Sequence, residues 1–385
     1  MIISEKPIKS AVVATIVISV FLYLTLDKEN STAVQFQLTG DLKPRATRSP
    51  RYIQSFICNP CKGPSVHAAT LVDSPTNGLS AYWWGGSREG GKDVKIFQSH
   101  WNPGKRTWQE TKPIISVESA RSGIGYIKKL GNVVGIEDNA GLRSLFYVSV
   151  SLGGWSGSAL NMVQSQDGGK SWSEPKRLVT SPFFNVSTLV RTRPFFYEDG
   201  DFGIPAYHEF VGKFAEILKV NAQGEVVDKF RISKGRRALQ PAIAISNTQS
   251  AETYMRNSVR GGQVLRSITE DGGTSWTTPQ DTNVPNPDSA VAVLRHRSGY
   301  TLMVANDLHK SRGRLSLLAS RDGAQWARVY VLEESAEGVK GSYSYPSIIR
   351  GHRGIYHIVY TWNRQGIRHI WFNDSWLEKR LENLS

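Results

Sequence analysis

Residues 207–209 of this 385-residue chain read Tyr-His-Glu, three neighbouring side chains of types that accept and release protons during catalysis. They follow Pro205 in a strand-like tract (IPAYHEF), where successive side chains alternate faces, so one or two of them at most point the same way. A second polar group lies in GGSREGGKDV, where Arg88 and Asp93 stand five residues apart. That pair reads either as a surface loop closed by its own ion pair or as part of a site. Arg256 ends an apolar run (TYMRN), and Arg312 sits in the basic turn Lys310–Arg314. Of Tyr343 and Tyr345 in SYSYP, one phenol is expected to face inward and the other to pack or face solvent. Arginines suit recognition of carboxylates, because their planar fork pairs with both oxygens. Phenol, carboxyl and imidazole groups can serve as nucleophile, acid and base, a chemistry that needs no metal or cofactor.

The bulk properties agree with an anionic partner. Formal net charge is +14 and the composition is globular, 39% hydrophobic with 35 Gly and 11 Trp. Such an excess favours acidic glycans, lipid headgroups or nucleic acid. No basic run is interleaved with aromatic residues in the manner of a nucleic-acid module, which argues against nucleic acid. Residues 1–10 read as a cytosolic tail and 11–26 (AVVATIVISVFLYLTL) as a transmembrane signal-anchor, with Lys6 and Lys9 before it and Asp27 and Glu29 after. Residues 27–50 then read as a linker, and 51–385 as an extracytoplasmic domain that is periplasmic or extracellular. The cysteines, Cys58 and Cys61 in CNPC, are expected to form a local disulfide in an exported chain.

What must position the polar residues is a repeated turn. SQDGGKSW at 165–172 returns as TEDGGTSW at 269–276 and as SRDGAQW at 320–326. Asp-Gly and Gly-Gly supply the positive φ that tight turns require. Asp167 and Asp271 are 104 residues apart, and Asp271 and Asp322 are 51 apart, so the first gap spans two units. On that grid, worn copies fall at 99–108, 218–225 and 370–376. Six units of about 50 residues, built of strands and turns, predict an all-β fold, a six-bladed β-propeller with a central funnel.

The turns resemble Asp-boxes (S/T-x-D-x-G-x-x-W), and the chain is similar to the sialidase-like, BNR-repeat superfamily of neuraminidases. The set HAATL, GGSREGGKD, YHE, NPDSA, YSYPS and HIVYTW resembles its bacterial neuraminidase-like subgroup. The resemblance implies three arginines gripping a substrate carboxylate, an aspartic acid as proton donor, a tyrosine nucleophile and a glutamate base on that tyrosine. Carried over, it gives Arg88, Arg256 and Arg312 as the cations, with Arg312 a better match than Arg314. Asp93 becomes the acid and Tyr343 the nucleophile, with Tyr345 second. Two positions depart from the pattern. His67 stands where the first arginine belongs, and Gln240 stands at the glutamate position, where a neutral amide cannot take a phenol proton.

These readings lead to an exo-glycosidase of sialidase type, acting on an acidic sugar of a glycan or polysaccharide. Asp93 protonates the leaving oxygen and Tyr343 attacks the anomeric carbon. His67, Tyr207, His208, Glu209, Gln240 and Tyr345 shape the pocket. Two alternatives stay open: a polysaccharide lyase, with His208 or Tyr207 abstracting the proton next to a uronate carboxylate, and a non-catalytic glycan-binding propeller.

Overall fold

The repeated octapeptide closes its turn through the Asp carboxylate. Asp167 accepts from the backbone N–H of Lys170 (2.9 Å) and Ser171 (3.0 Å) and from the hydroxyls of Ser165 and Ser171. Asp271 repeats the arrangement with Ser275 and Thr269, and Asp322 with Ala324, Gln325 and Ser320. In the two later copies the indole N–H of Trp276 and Trp326 donates back to Gly273 and Gly323. Each box joins the third strand of a four-stranded sheet to its fourth. The worn copies at 99–108 and 218–225 make the same connection, and the one at 370–376 ends the third strand of the last sheet.

The structure, a computed structural model, describes residues 34–38, 49–181, 185–210, 212–235 and 237–384. Its strands form six antiparallel sheets, each read outward from its innermost strand. The innermost strands are Ser65–Val72, Lys129–Glu137, Leu189–Val190, Ala238–Ile245, Ala292–Arg295 and Tyr343–Arg350. The fold is thus an all-β, six-bladed propeller, as the repeat grid predicts.

The outermost strand of the sixth blade is Tyr52–Cys58, antiparallel to Gly366–Asn373, so the start of the described domain closes the ring. Apolar clusters fill the seams between blades. Tyr82, Ile96, Val133 and Tyr147 join the first two, and Leu302, Leu317, Ile358 and Tyr360 the last two. Only two short α-helices occur among the described residues, Val117–Ile124 and Asp374–Leu381.

Cys58 and Cys61 are bridged, as expected. Part of the expected linker is packed onto the propeller: Phe36 is fully buried, bridges Tyr197 and stacks against its ring. The expected signal-anchor at 11–26 lies outside the described residues. No helix among those residues is long and apolar enough to cross a membrane.

Candidate functional site

Four innermost strands break their register near the end at which they enter the sheet, at His67/Thr70, Leu130/Val133, Leu239/Ala242 and Ser344/Ser347. Three of the breaks hold a residue in the left-handed region: Ala68 at φ 59°, Gln240 at 53° and Tyr345 at 56°. Ser187 and Asp288 take the same conformation just before the innermost strands of the third and fifth blades. A bulge of this kind costs energy and re-aims a side chain, and such strain gathers where a site is built. Here the five positions ring the mouth of one funnel.

Tyr345 is at the centre. Its phenol oxygen accepts from Arg256 Nη1 (3.2 Å) and Gln240 Nε2 (3.3 Å). Gln240 also donates to the Tyr207 hydroxyl (3.2 Å), and its Oε1 accepts from Arg256 Nη1 (3.4 Å). The His67 ring lies 4.0 Å from the Tyr345 ring, and the guanidinium groups of Arg191 and Arg312 stand 5.1 and 5.8 Å from it. His67 binds Thr361 Oγ1 through Nδ1 (2.9 Å), while its Nε2 is buried without a hydrogen-bond partner among the described residues. Burial, followed by the charges of Arg364, Arg191, Arg312 and Arg256, pulls His67 well below the ordinary imidazole range. The ring is therefore neutral at physiological pH, and four cations converge on it.

Those cations are not equivalent. Arg191 is buried and donates to the carbonyls of Tyr345 and Pro346, so it supports the bulge from behind. Arg256 pairs through Nε with Asp288 (2.6 Å), and Arg312 donates to the Asp288 carbonyl (2.6 Å). Burial works against the Arg256 cation, yet Tyr345 and Asp288 hold its pKa above the usual value. Arg364 pairs with Glu89 (2.9 Å), and its guanidinium stands 5.8 Å from the Trp84 ring. Arg256, Arg312 and Arg364 each keep part of the side chain exposed, and so can meet an anion entering the funnel.

The Tyr-His-Glu tract divides as strand alternation requires. Tyr207 faces Gln240, whereas His208 turns away to bind Glu216 (2.6 Å) and stack on Phe214. The expectation of His208 in the pocket is therefore corrected. Glu209 follows at the end of the strand Phe202–His208, half-buried, with its backbone N–H on Ser187 Oγ (2.9 Å). Burial raises its carboxyl pKa against the opposing charges of Arg256 and Lys213, with Asp288 and Glu89 adding to the rise.

Two further expectations change. Tyr343 lies in the apolar seam between the fifth and sixth blades, 7% exposed, so the second candidate, Tyr345, holds the central place. Residues two apart share a face of a regular strand, so it is the bulge at 344–347 that separates the two phenols and turns Tyr345 to the funnel. Arg88 and Asp93 sit on an exposed loop that ties to itself, since Asp93 accepts from Ser87 N–H and Oγ, both at 2.7 Å. The Ser87 hydrogen bonds hold the Asp93 carboxyl below its usual range, the opposite of what a proton donor at neutral pH requires. Among the described residues no hydrogen bond or ion pair links Arg88 or Asp93 to Tyr345. Glu89, between them, is the loop residue that reaches the cluster, through Arg364.

Sequence reasoning missed Arg191, Arg364, Glu89 and the Asp288 carboxylate. One signal was available: Gln240-Pro241 and Tyr345-Pro346 share an X-Pro step at the same place in their blades, which singles out Tyr345 over Tyr343.

The family model for the BNR repeat-like domain matches residues 77–358. Among solved structures, a Hadza microbial sialidase aligns at 18% identity with a TM-score of 0.64, covering 80% of this chain and 65% of its own length. The NanB sialidase of Streptococcus pneumoniae aligns at 10% identity and TM-score 0.67, covering 89% of this chain and 71% of that one. The intramolecular trans-sialidase of Ruminococcus gnavus aligns at 12% identity and TM-score 0.64, covering 84% and 97%. At these identities the likeness is one of fold. No curated protein sequence matches the chain.

Proposed function

We propose that this chain, which belongs to the BNR repeat-like family and has the sialidase-like propeller fold, is an exo-glycosidase of the sialidase type acting on a carboxylated sugar. The observation that carries the reading is the placement of Arg256, Arg191 and Arg312 around Tyr345 at the funnel mouth, with Arg364 over the neighbouring Trp84. Arg256, Arg312 and Arg364 hold the sugar carboxylate. Tyr345 attacks the anomeric carbon as the bond to the leaving oxygen breaks, its phenol proton passing to solvent; a phenol avoids the repulsion that a carboxylate nucleophile would meet from an anionic substrate. Glu209, a half-buried carboxyl whose pKa burial raises, donates to the leaving oxygen in place of Asp93. Gln240 orients the phenol without being able to take its proton, so turnover is slow for a glycosidase. The Cys58–Cys61 bridge supports an extracytoplasmic location, with residues 11–26 as the anchor.

One observation favours elimination as the second reading. A neutral His67 with an unpartnered Nε2 beside Tyr345 resembles a base and acid pair, with arginines neutralising a uronate. The assay is release of aglycone from aryl α-sialosides and aryl uronides, run beside ultraviolet detection of unsaturated uronate. The hydrolase reading expects aglycone release that disappears in Tyr345→Phe while sugar binding persists. Unsaturated product would replace it with the lyase. Unchanged binding with no product of either kind, on both substrate classes, would leave a glycan-binding propeller.

A further inference from the structure

Each innermost strand runs from the funnel mouth to the far end of the propeller. The turns between first and second strands, and between third and fourth, therefore collect at that far end. Between the first and sixth blades such turns, at 73–79, 101–106 and 352–354, meet the end of Gly366–Asn373 and enclose a cavity of about 240 Å³. Its walls include the indoles of Trp101 and Trp371, with Leu79 and Ile355 beside them. Trp371 is buried, and its indole N–H has no hydrogen-bond partner among the described residues.

The acidic groups at this cavity already have counter-ions. Asp73 accepts from the backbone N–H of His352 (2.7 Å) and is bound by its ring nitrogen (2.8 Å). Asp374 accepts from the Tyr356 hydroxyl (2.8 Å) and pairs with Arg350 (3.1 Å). Arg51, Arg106 and Arg353, by contrast, are exposed at the rim and form no ion pair among the described residues. The cavity thus combines apolar aromatic walls, carboxylate acceptors deeper in, and three uncommitted cations outside.

We propose that this cavity is a second, non-catalytic binding site for one carboxylated sugar unit of an acidic glycan. The indole walls cover the C–H faces of the ring, and the two paired carboxylates accept its hydroxyls. A rim arginine takes the carboxylate. Phosphate and sulfate suit the site poorly, because Asp73 and Asp374 repel a compact dianion and an anion of that size leaves the aromatic walls uncovered. The volume admits a monosaccharide unit, not a chain. Lying at the end opposite the funnel, the site would tether one branch of a polymer while another is processed, which raises local concentration without touching the chemistry. The sugar class is taken from the reading of the funnel, but the site itself stands on its own residues.

The test titrates the full chain with N-acetylneuraminate and with glucuronate by calorimetry, with glucose and inorganic phosphate as controls. Two equivalents of one acidic sugar are expected to bind. The Arg106→Glu/Arg353→Glu double variant, altered only at exposed positions, is expected to lose one equivalent and keep wild-type turnover of a small aryl substrate. Its KM for a polymeric substrate should rise several-fold. Arg256→Ala should lose the other equivalent. A single equivalent abolished by Arg256→Ala and unaffected by the double variant would overturn the second site and leave the funnel reading intact. A single equivalent abolished by the double variant alone would support the second site and remove the funnel reading. Phosphate displacing the sugar from the far site at equal concentration would also overturn the proposal, as would equal binding of glucose.

Discussion

Replacing Gln240 by glutamate tests whether the Tyr345 phenol is the attacking group. The amide nitrogen lies 3.3 Å from the Tyr345 oxygen and 3.2 Å from that of Tyr207, so a carboxylate of the same shape would meet two hydroxyl donors. The amide oxygen lies 3.4 Å from Arg256 Nη1. At that separation and an effective dielectric of about 20, the attraction between a carboxylate and a guanidinium is roughly 5 kcal/mol. That is comparable to the several kcal/mol that burying one ion costs, so Gln240→Glu is expected to fold and to be ionised at neutral pH. A positioned general base contributes about 10²–10⁴-fold to such a step. We therefore expect kcat on an aryl sialoside or uronide to rise by at least about tenfold. Gln240→Glu/Tyr345→Phe should abolish the gain. Two controls complete the assay: the circular dichroism spectrum, and binding of the sugar product, both expected to be unchanged. A folded, sugar-binding Gln240→Glu protein whose kcat stays at the wild-type level would refute the assignment of Tyr345 as nucleophile.

Other outcomes follow from the same geometry. Tyr343→Phe, which alters a phenol in the interblade seam, should leave kcat/KM within about twofold of wild type, measured beside the inactive Tyr345→Phe. Because burial raises the Glu209 pKa, its proton is present at low pH and lost as pH rises through the raised value. The kcat/KM profile should therefore fall on its alkaline side, and Glu209→Gln should remove that limb together with most of the turnover. Asp271 accepts from the Ser275 and Thr269 groups, which hold its carboxyl well below the usual range despite partial burial. Its stabilising effect is present above the ordinary carboxylate range and is lost as pH falls through the depressed value. Asp271→Ala should lower unfolding stability by about 1–2 kcal/mol at pH 7, after allowance for solvent screening, and by less in strong acid, as measured by urea denaturation. Replacing Cys58 and Cys61 with serine opens a loop only three residues apart in sequence, so the loss should be at most about 2 kcal/mol with activity unchanged.

The architecture was legible because its signal is local. Tight turns that need positive φ favour Gly, Asp or Asn in the sequence, and two of the three degenerate copies fell at the same strand connection as the intact ones. The site was legible only in part, since it is assembled from segments that no local rule connects. Arg256, Gln240 and His67 were named through the resemblance and Tyr207 as part of a proton-carrying tract, and the structure sets the four around Tyr345. Arg191 was missed because it contacts the bulge backbone from a short strand without any motif around it. Arg364 was missed because its turn, NRQG, reads as ordinary surface. Tyr343 and Tyr345 could not be told apart by alternation, because residues two apart share one face of a regular strand. The bulge settled that, and its mark in the sequence is a proline, not a charged residue.

The clasp between Tyr52–Cys58 and Gly366–Asn373 has a bearing on synthesis. A nascent chain that has been made through the fifth blade is an arc with bare strands at both ends, and its earliest strand has no mate until the last of the protein emerges. Pairings so distant in sequence form slowly, and unpaired edges invite other chains meanwhile. Ribosomes stalled near residue 360 should accordingly yield an arc that is sensitive to protease and prone to association, and release of a chain that includes Gly366–Asn373 should convert it to a resistant ring.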